Sequence, residues 1–365
     1  MAVENSRSSA IRFSQKYNDA MSRPQFEELA DIIRENTPAV AVEVTDVFLQ
    51  RHPEWRMRYG TRATTAGVQD AAYHLAFLAG AVEARDTQPF VAYARWAARV
   101  LASRGIAARF LRENLEQVRD ALAIRATPAR AGLLAGYFEA ALEALSDEPE
   151  FPGGATLNLT ADVFLQAILT GQRHAAVQIA REALRNGLTI EALYVDVFQP
   201  ALYEIGAQWE ANRVTVAQEH IATAITQYVM AQVYEAPDHH DARGTVVLTG
   251  VEGELHNIGG VMVGDLLESS GWRVRFLGTN LPAPSILSAV RDAAPSHVGI
   301  SATMLFNVGA VRHLVQAIRS EFGDRITILV GGAAFRTVPD LWRQVSADAF
   351  ASDLRGVQAL FHGTG

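Results

Sequence analysis

From residue 245 onward the chain alternates short β-branched runs with helical stretches, and no other feature limits its fold as tightly. The runs are 245–250 (TVVLTG), 273–277 (RVRFL), 297–301 (HVGIS) and 326–330 (ITILV), with 347–351 (ADAFA) as a last short strand. Apolar residues recur at helical spacing between them, at about 258–270, 283–293, 307–321 and 338–345. Strands that alternate with helices pair in parallel and bury both faces, so residues 243–365 are expected to form a Rossmann-like parallel-sheet domain.

Upstream the pattern is helical. In 10–145, Leu29, Ile32, Ile33 and Val40 fall on one helical face, as do Tyr73, Phe77, Leu78 and Ala81. The Pro-, Gly- and acid-rich stretch 146–158 reads as a linker. Residues 156–237 follow as about four helices of roughly 10–16 residues, punctuated by Gly171, Gly187, Pro200 and Asn212. Short connections favour an antiparallel four-helix bundle. The stretch 236–244, with His239 and His240, is a second linker. The expectation is a multidomain α and α/β chain: an all-helical domain over 1–150, the bundle, and the sheet domain.

Composition removes several classes. With no cysteine there is no disulfide, thiolate metal site or thioether-linked chromophore. A net charge of −8 argues against a broad nucleic-acid footprint. No apolar run is long enough to span a bilayer, and the N-terminus lacks a signal-peptide core, so the expected location is cytoplasmic.

The loop after the first strand reads Gly253-Glu254-Leu255-His256-Asn257-Ile258-Gly259-Gly260. Such loops, at the carboxyl ends of parallel strands, bind ligands. A histidine there can offer a neutral ring nitrogen to a metal, and an acid two residues earlier can orient the ring. A Gly-rich loop of this kind is also a common phosphate or nucleotide site, and at this point both readings stand. Ser301-Ala302-Thr303 follows the third strand and Gly331-Gly332 the fourth, at the same sheet edge. Their hydroxyls suit a buried polar tail, and the glycine pair leaves it room. The whole pattern is E-x-H-x-x-G, 41 residues, S-x-T, 27 residues, G-G. Over 244–362 it resembles the cobalamin-binding module in which a protein histidine replaces the nucleotide base under cobalt. The resemblance implies that His256 is the lower cobalt ligand and that Glu254 supports it. It further implies that Gly259 lies against the cofactor and that Ser301, Thr303, Gly331 and Gly332 receive its tail. Glu254 departs from the aspartate of many corrinoid enzymes, which weakens an enzyme assignment more than it weakens cofactor binding.

The bundle carries Trp209, nine residues, then Glu219-His220. One unbroken helix would hold Trp209 and His220 about 16 Å apart, too far to cap one small group. A break at Ala211-Asn212-Arg213, then a capping box starting at Thr215, brings them together and puts His220 near a helix N-terminus. By themselves Trp209 suits a core position and Glu-His a surface pair. Upstream of the cobalamin pattern, the arrangement resembles the CarH/LitR group of adenosylcobalamin photoreceptors. That resemblance implies that Trp209 and Glu219 enclose the adenosyl group, and that after photolysis His220 becomes the upper cobalt ligand opposite His256.

The N-terminal block differs from the basic DNA-binding domain of that group and shows no recognition helix, so direct nucleic-acid binding is not expected. Its Tyr73-His74, Phe77, Tyr93, Arg95-Trp96 and Arg99 to Arg104 segments resemble, over about 20–125, the N-terminal region of photocobilins, which pair cobalamin with a bilin. The resemblance implies noncovalent biliverdin, with Tyr73, His74, Tyr93 and Trp96 lining a slot and Arg95, Arg99 and Arg104 meeting propionates. Tyr93 and Trp96 at three-residue spacing also suit a plain helical core. A haem domain with His74 or His52 as iron ligand is the rival. The combined expectation is a sensory protein without catalytic turnover, assembling with itself in a light-dependent way. With no output segment before Gly365, it is expected to act through an effector domain or partner. The alternative is the corrinoid subunit of a methyltransferase system.

Overall fold

The computed structural model describes residues 23–146, 148–151, 156–235, 242–338 and 340–362. His239 and His240 lie outside these residues, as do parts of both linkers. The chain divides into two compact units, Met1–Glu150 and Phe151–Gly365.

The first unit is helical: α1 (Arg23–Arg51), α2 (Pro53–Tyr59), α3 (Arg62–Glu83), α4 (Gln88–Ala102), α5 (Ala108–Arg125) and α6 (Pro128–Glu143). Pro53, Pro89 and Pro128 each fall in the first turn of a helix, where a missing N–H costs nothing. Phe26, Leu29, Ile33 and Val40 of α1 are buried, as are Leu75, Leu78 and Val82 of α3, and the two helices pack together.

The second unit joins a helical cap to a sheet. The cap comprises α7 (Leu159–Leu169), α8 (Arg173–Arg185), α9 (Ile190–Leu193), a π-helical turn (Tyr194–Phe198), α10 (Gln199–Glu210) and α11 (Val216–Val233). Pro200 does not end its helix. Lacking an N–H, it leaves the Asp196 carbonyl without its usual donor. The chain widens into the π turn there, and the Asn158 side chain donates to that carbonyl at 2.7 Å while its own oxygen caps α7.

Five strands, β1 (Thr245–Gly250), β2 (Arg273–Phe276), β3 (His297–Ser301), β4 (Thr327–Gly331) and β5 (Ala349–Ala351), form one parallel sheet in the order β2-β1-β3-β4-β5. The helices between and after them are α12 (Ile258–Ser269), α13 (Ala283–Ala293), α14 (Val308–Phe322), α15 (Ala333–Thr337), α16 (Leu341–Gln344) and α17 (Leu354–His362). Of the helix expected over 338–345 only the short Leu341–Gln344 forms, and the short Ala333–Thr337 precedes that range. Val246 and Leu248 face Leu267 of α12 and Phe361 of α17. Val247, Val298, Ile300, Ile328 and Val330 are buried on the opposite face, as strand alternation requires. In this strand order the direction of winding reverses between β1 and β3, which places the ligand crevice outside their carboxyl ends.

Candidate functional site

The loop from β1 to α12 and the loop after β3 meet at that crevice. Glu254 is fully buried between them. One carboxylate oxygen accepts the backbone N–H of His256 at 2.9 Å and lies 2.6 Å from its Nδ1. The other accepts the backbone N–H of Thr303 at 2.6 Å and the side-chain amide of Asn307 at 3.2 Å. Burial alone would push this carboxyl up, but the donors from His256 and Thr303 outweigh it and hold it below the usual glutamate range. The hydrogen bond to Glu254 raises the His256 ring against the effect of burial, and the Glu219 carboxylate adds to that rise. With Nδ1 engaged and the side chain 55% exposed, Nε2 is the free nitrogen of the ring.

This arrangement depends on small residues nearby. A Cβ on Gly250 would lie 2.7 Å from Thr279 and 3.2 Å from the Glu254 side chain, so only glycine leaves room for the buried carboxylate. Gly250, Ser301, Gly331 and Ala351 form one rung across β1, β3, β4 and β5. By strand alternation this rung shares the face of Val246 and Leu248, so the sheet there is lined with small side chains. The hydroxyls of Ser301 and Thr303 make no hydrogen bond among the described residues. Gly332 has a reason of its own: its φ is +99°, and a Cβ would sit 2.3 Å from the Ala302 carbonyl oxygen. A Cβ on Gly259 meets nothing within 4 Å, which leaves open space in front of the loop.

On the cap, α10 ends at Glu210 and Asn212 takes a left-handed conformation. Thr215 and Gln218 then form a capping box that starts α11. The break and box expected from the sequence are both present, so Trp209 and the Glu219-His220 pair flank one turn. His220 lies in the second turn of α11, its side chain 74% exposed and its Nδ1 hydrogen-bonded to Glu219. The second oxygen of Glu219 accepts the Thr223 hydroxyl at 2.9 Å. Trp209 is half-buried in the last turn of α10. Glu219 is near enough to act electrostatically on His256, and Gln227 of α11 donates to Asn257 at 2.7 Å. The cap helix bearing His220 therefore faces the loop bearing His256.

Asn307, Asn257 and Gln227 were not singled out by sequence reasoning. Asn307 reads there as an ordinary helix-start residue, and only the fold carries it to Glu254.

In the first unit, the His74 Nδ1 lies 2.7 Å from the Tyr93 hydroxyl, and Tyr93 stacks on Phe77 with centroids 4.0 Å apart. Trp96 is tilted against Tyr93 at 6.0 Å. Burial lowers the His74 ring to about 4, so it is neutral. Tyr73 is exposed, and so is Arg95; Arg99 is half-buried. Arg104 donates to the Val100 carbonyl and the Ser103 hydroxyl. His52 belongs to a different cluster: its Nε2 lies 2.7 Å from Glu113, and its ring packs on Phe48 and Phe110. One neighbour of the His74 group was missed: Asp70, one helical turn earlier, is accessible, yet surrounding protein pushes its carboxyl up to about 6.

Comparison with known proteins agrees with this geometry. Residues 244–353 match the B12-binding family, described as a B12 binding domain, and residues 160–234 match a second family with the same description. Fold, site and these matches support a cobalamin-binding class for the cap and sheet. Among relatives, trimethylamine corrinoid protein 1 of Methanosarcina acetivorans is 27% identical over 199 residues, covering 53% of this chain and 88% of that protein. The HTH-type transcriptional repressor CarH of Myxococcus xanthus is 26% identical over 159 residues, covering 43% of this chain and 52% of that protein. The solved monomethylamine corrinoid protein of Methanosarcina barkeri is 20% identical with a TM-score of 0.48, over 56% of this chain and 98% of its own. Among the described residues, no helix is long and apolar enough to cross a membrane.

Proposed function

We propose that the chain is a light-sensing cobalamin protein that binds adenosylcobalamin with its nucleotide base displaced, between the histidine loop and the cap. The carrying observation is that cap helix α11, which bears exposed His220, bonds through Gln227 to Asn257, the neighbour of His256, whose ring is anchored by buried Glu254. The donor set fits cobalt, since one ring nitrogen of His256 is fixed by a carboxylate and the other is free. Ser301, Thr303, Gly331 and Gly332 would receive the tail, and Gly259 would lie against the cofactor. When bound, the cofactor supplies a photolabile upper bond. Trp209 and Glu219 would enclose its upper group in the dark, and His220 would take the vacated position after light. A bond from the cap to the metal changes how cap and sheet are held, which is the two-state element a signal needs. Light-dependent self-assembly or a partner would carry that signal. In the first unit we propose noncovalent biliverdin beside Tyr73, His74, Tyr93 and Trp96, with Arg95 and Arg99 at its propionates.

A second reading is favoured by the corrinoid proteins among the relatives, namely that the chain carries a corrinoid for a methyltransferase system. One experiment separates the two. The chain is loaded with adenosylcobalamin, with and without biliverdin, and its absorption and mass are recorded before and after illumination. A photoreceptor gives a new spectrum, lost in His220→Ala while dark binding is kept, together with a change of assembly. A light-independent mass and an unaltered His220→Ala spectrum would leave the corrinoid-carrier reading. Added red absorption tests the bilin.

A further inference from the structure

The cap is seated on the sheet through an apolar seam that contains one polar cluster. Met262 and Leu266 of α12 and Leu354 of α17 are buried in the same cluster as Phe164, Leu193 and Val197 of the cap. Within the seam the buried Tyr194 hydroxyl donates to Asp265 of α12 at 2.6 Å. The Tyr234 hydroxyl, just past the end of α11, is shared between the Asp265 carbonyl and the Glu268 carboxylate, 3.1 Å from each. Tyr194 stands in the π turn described above. At the start of α12, Gln227 holds Asn257, the neighbour of His256. Helix α12 is thus tied to the cap at its beginning and again two turns later.

We propose that Asp265, held by Tyr194 and Tyr234, is a positioning residue of the corrinoid site: it seats the cap on α12 and sets how fast a corrinoid passes beneath the cap to reach His256. This rests on the cobalamin reading above. Gln227 of the cap bonds Asn257 beside His256 at 2.7 Å, so a flat macrocycle must part the cap from the loop to enter. An apolar pair in the seam would resist parting at least as well as a half-buried carboxylate does. The carboxylate adds a contact that is directional and that water can replace once the seam opens. Partial burial and the charge of Glu268 push the Asp265 carboxyl up to about 6, and the Tyr194 hydrogen bond opposes them.

The test mixes the full chain with excess hydroxocobalamin and follows the visible bands by stopped flow. Tyr194→Phe leaves Asp265 without its hydroxyl donor and should speed uptake about ten-fold, with the final spectrum unchanged. Tyr194→Phe combined with Asp265→Leu leaves neither partner unpaired, and uptake should return to the wild-type rate or below it. A role confined to stability would instead lower the melting temperature and the final amplitude without raising the rate. An unchanged or slower rate in Tyr194→Phe, or a faster one in the double variant, overturns the seating role. Absence of any spectral change with the wild-type chain would remove the cobalamin reading itself, and this inference with it.

Discussion

Replacing Glu254 by glutamine should cost about 2–4 kcal/mol of stability and disturb metal ligation at the same time. The carboxylate accepts four hydrogen bonds, two at each oxygen, and two of the four donors are backbone N–H groups that cannot turn round. Glutamine offers one oxygen and one NH2. If the NH2 faces Thr303, Asn307 can flip to accept, but the Thr303 N–H is left buried and unpaired, which costs about 1–3 kcal/mol. If it faces His256, the backbone N–H there is unpaired instead, and Nδ1 must become the acceptor. The proton then moves to Nε2, and no nitrogen of the ring is left for a metal. Loss of the charge-assisted character of the remaining bonds accounts for the rest. Urea unfolding at pH 7 measures the first effect, and the bands of added cobalamin measure the second. Glu254→Asp keeps the charge but is one methylene too short to reach both loops, so it should fall between wild type and glutamine. A Glu254→Gln protein within about 0.5 kcal/mol of wild type, with an unchanged cobalamin spectrum, would refute the claim that this carboxylate organises the loop.

His256→Ala should abolish the His-ligated cobalamin spectrum while leaving the melting temperature nearly unchanged, because the ring is half-exposed; spectrophotometric titration checks it. Gly332→Ala should destabilise the second unit by more than about 3 kcal/mol, through a positive φ and a backbone clash together, as read from a thermal melt. The first unit should lose stability in acid. His74 is held neutral, its folded pKa lying below the unfolded value, so its contribution is complete above about 6.5 and is lost as pH falls through about 4. The loss amounts to about 3 kcal/mol, and His74→Gln should flatten the pH dependence of unfolding in that window.

The sheet was legible because parallel strands buried on both faces must be short and β-branched, and 245–250, 297–301 and 326–330 have no other good use for such composition. The turn between Trp209 and Glu219 was legible for a different reason: Asn212 tolerates a left-handed backbone, and Thr215-x-x-Gln218 is a local capping signal. Pro200 misleads on the same local grounds. Its punctuation is absorbed by the π turn because Asn158, 38 residues before Asp196, supplies the donor missing at that carbonyl. Asn307 and the Tyr194–Asp265 pair were illegible by nature, since each gains its role from a partner far along the chain, 53 and 71 residues away. Local rules of period, capping and turn chemistry carry no information about such pairs.

The same distinction explains why the two units differ in how far function can be read from them. The lower loop is a site made by topology: the strand order brings the β1 and β3 loops together, and here it places residue 254 beside residue 303. What then matters is a few side chains at fixed positions, and these are visible as a spaced motif. Among the described residues of the helical unit, the fold dictates no crevice of that kind. Its His74, Phe77, Tyr93 and Trp96 fall on adjoining faces of α3 and α4, where Tyr93 stacks on Phe77 and Trp96 tilts against it. A chromophore there would have to displace rings that already satisfy one another, Tyr93 from Phe77 above all. Binding would therefore cost the stacking energy of about 0.5–1.5 kcal/mol per aromatic pair before any new contact is counted. Asp70, which acts electrostatically on Tyr93, is closer to that stack in effect than exposed Arg95, so biliverdin binding should weaken in Asp70→Ala more than in Arg95→Ala. Equal weakening, followed as red absorbance against added biliverdin, would mean that the ligand does not enter at this stack.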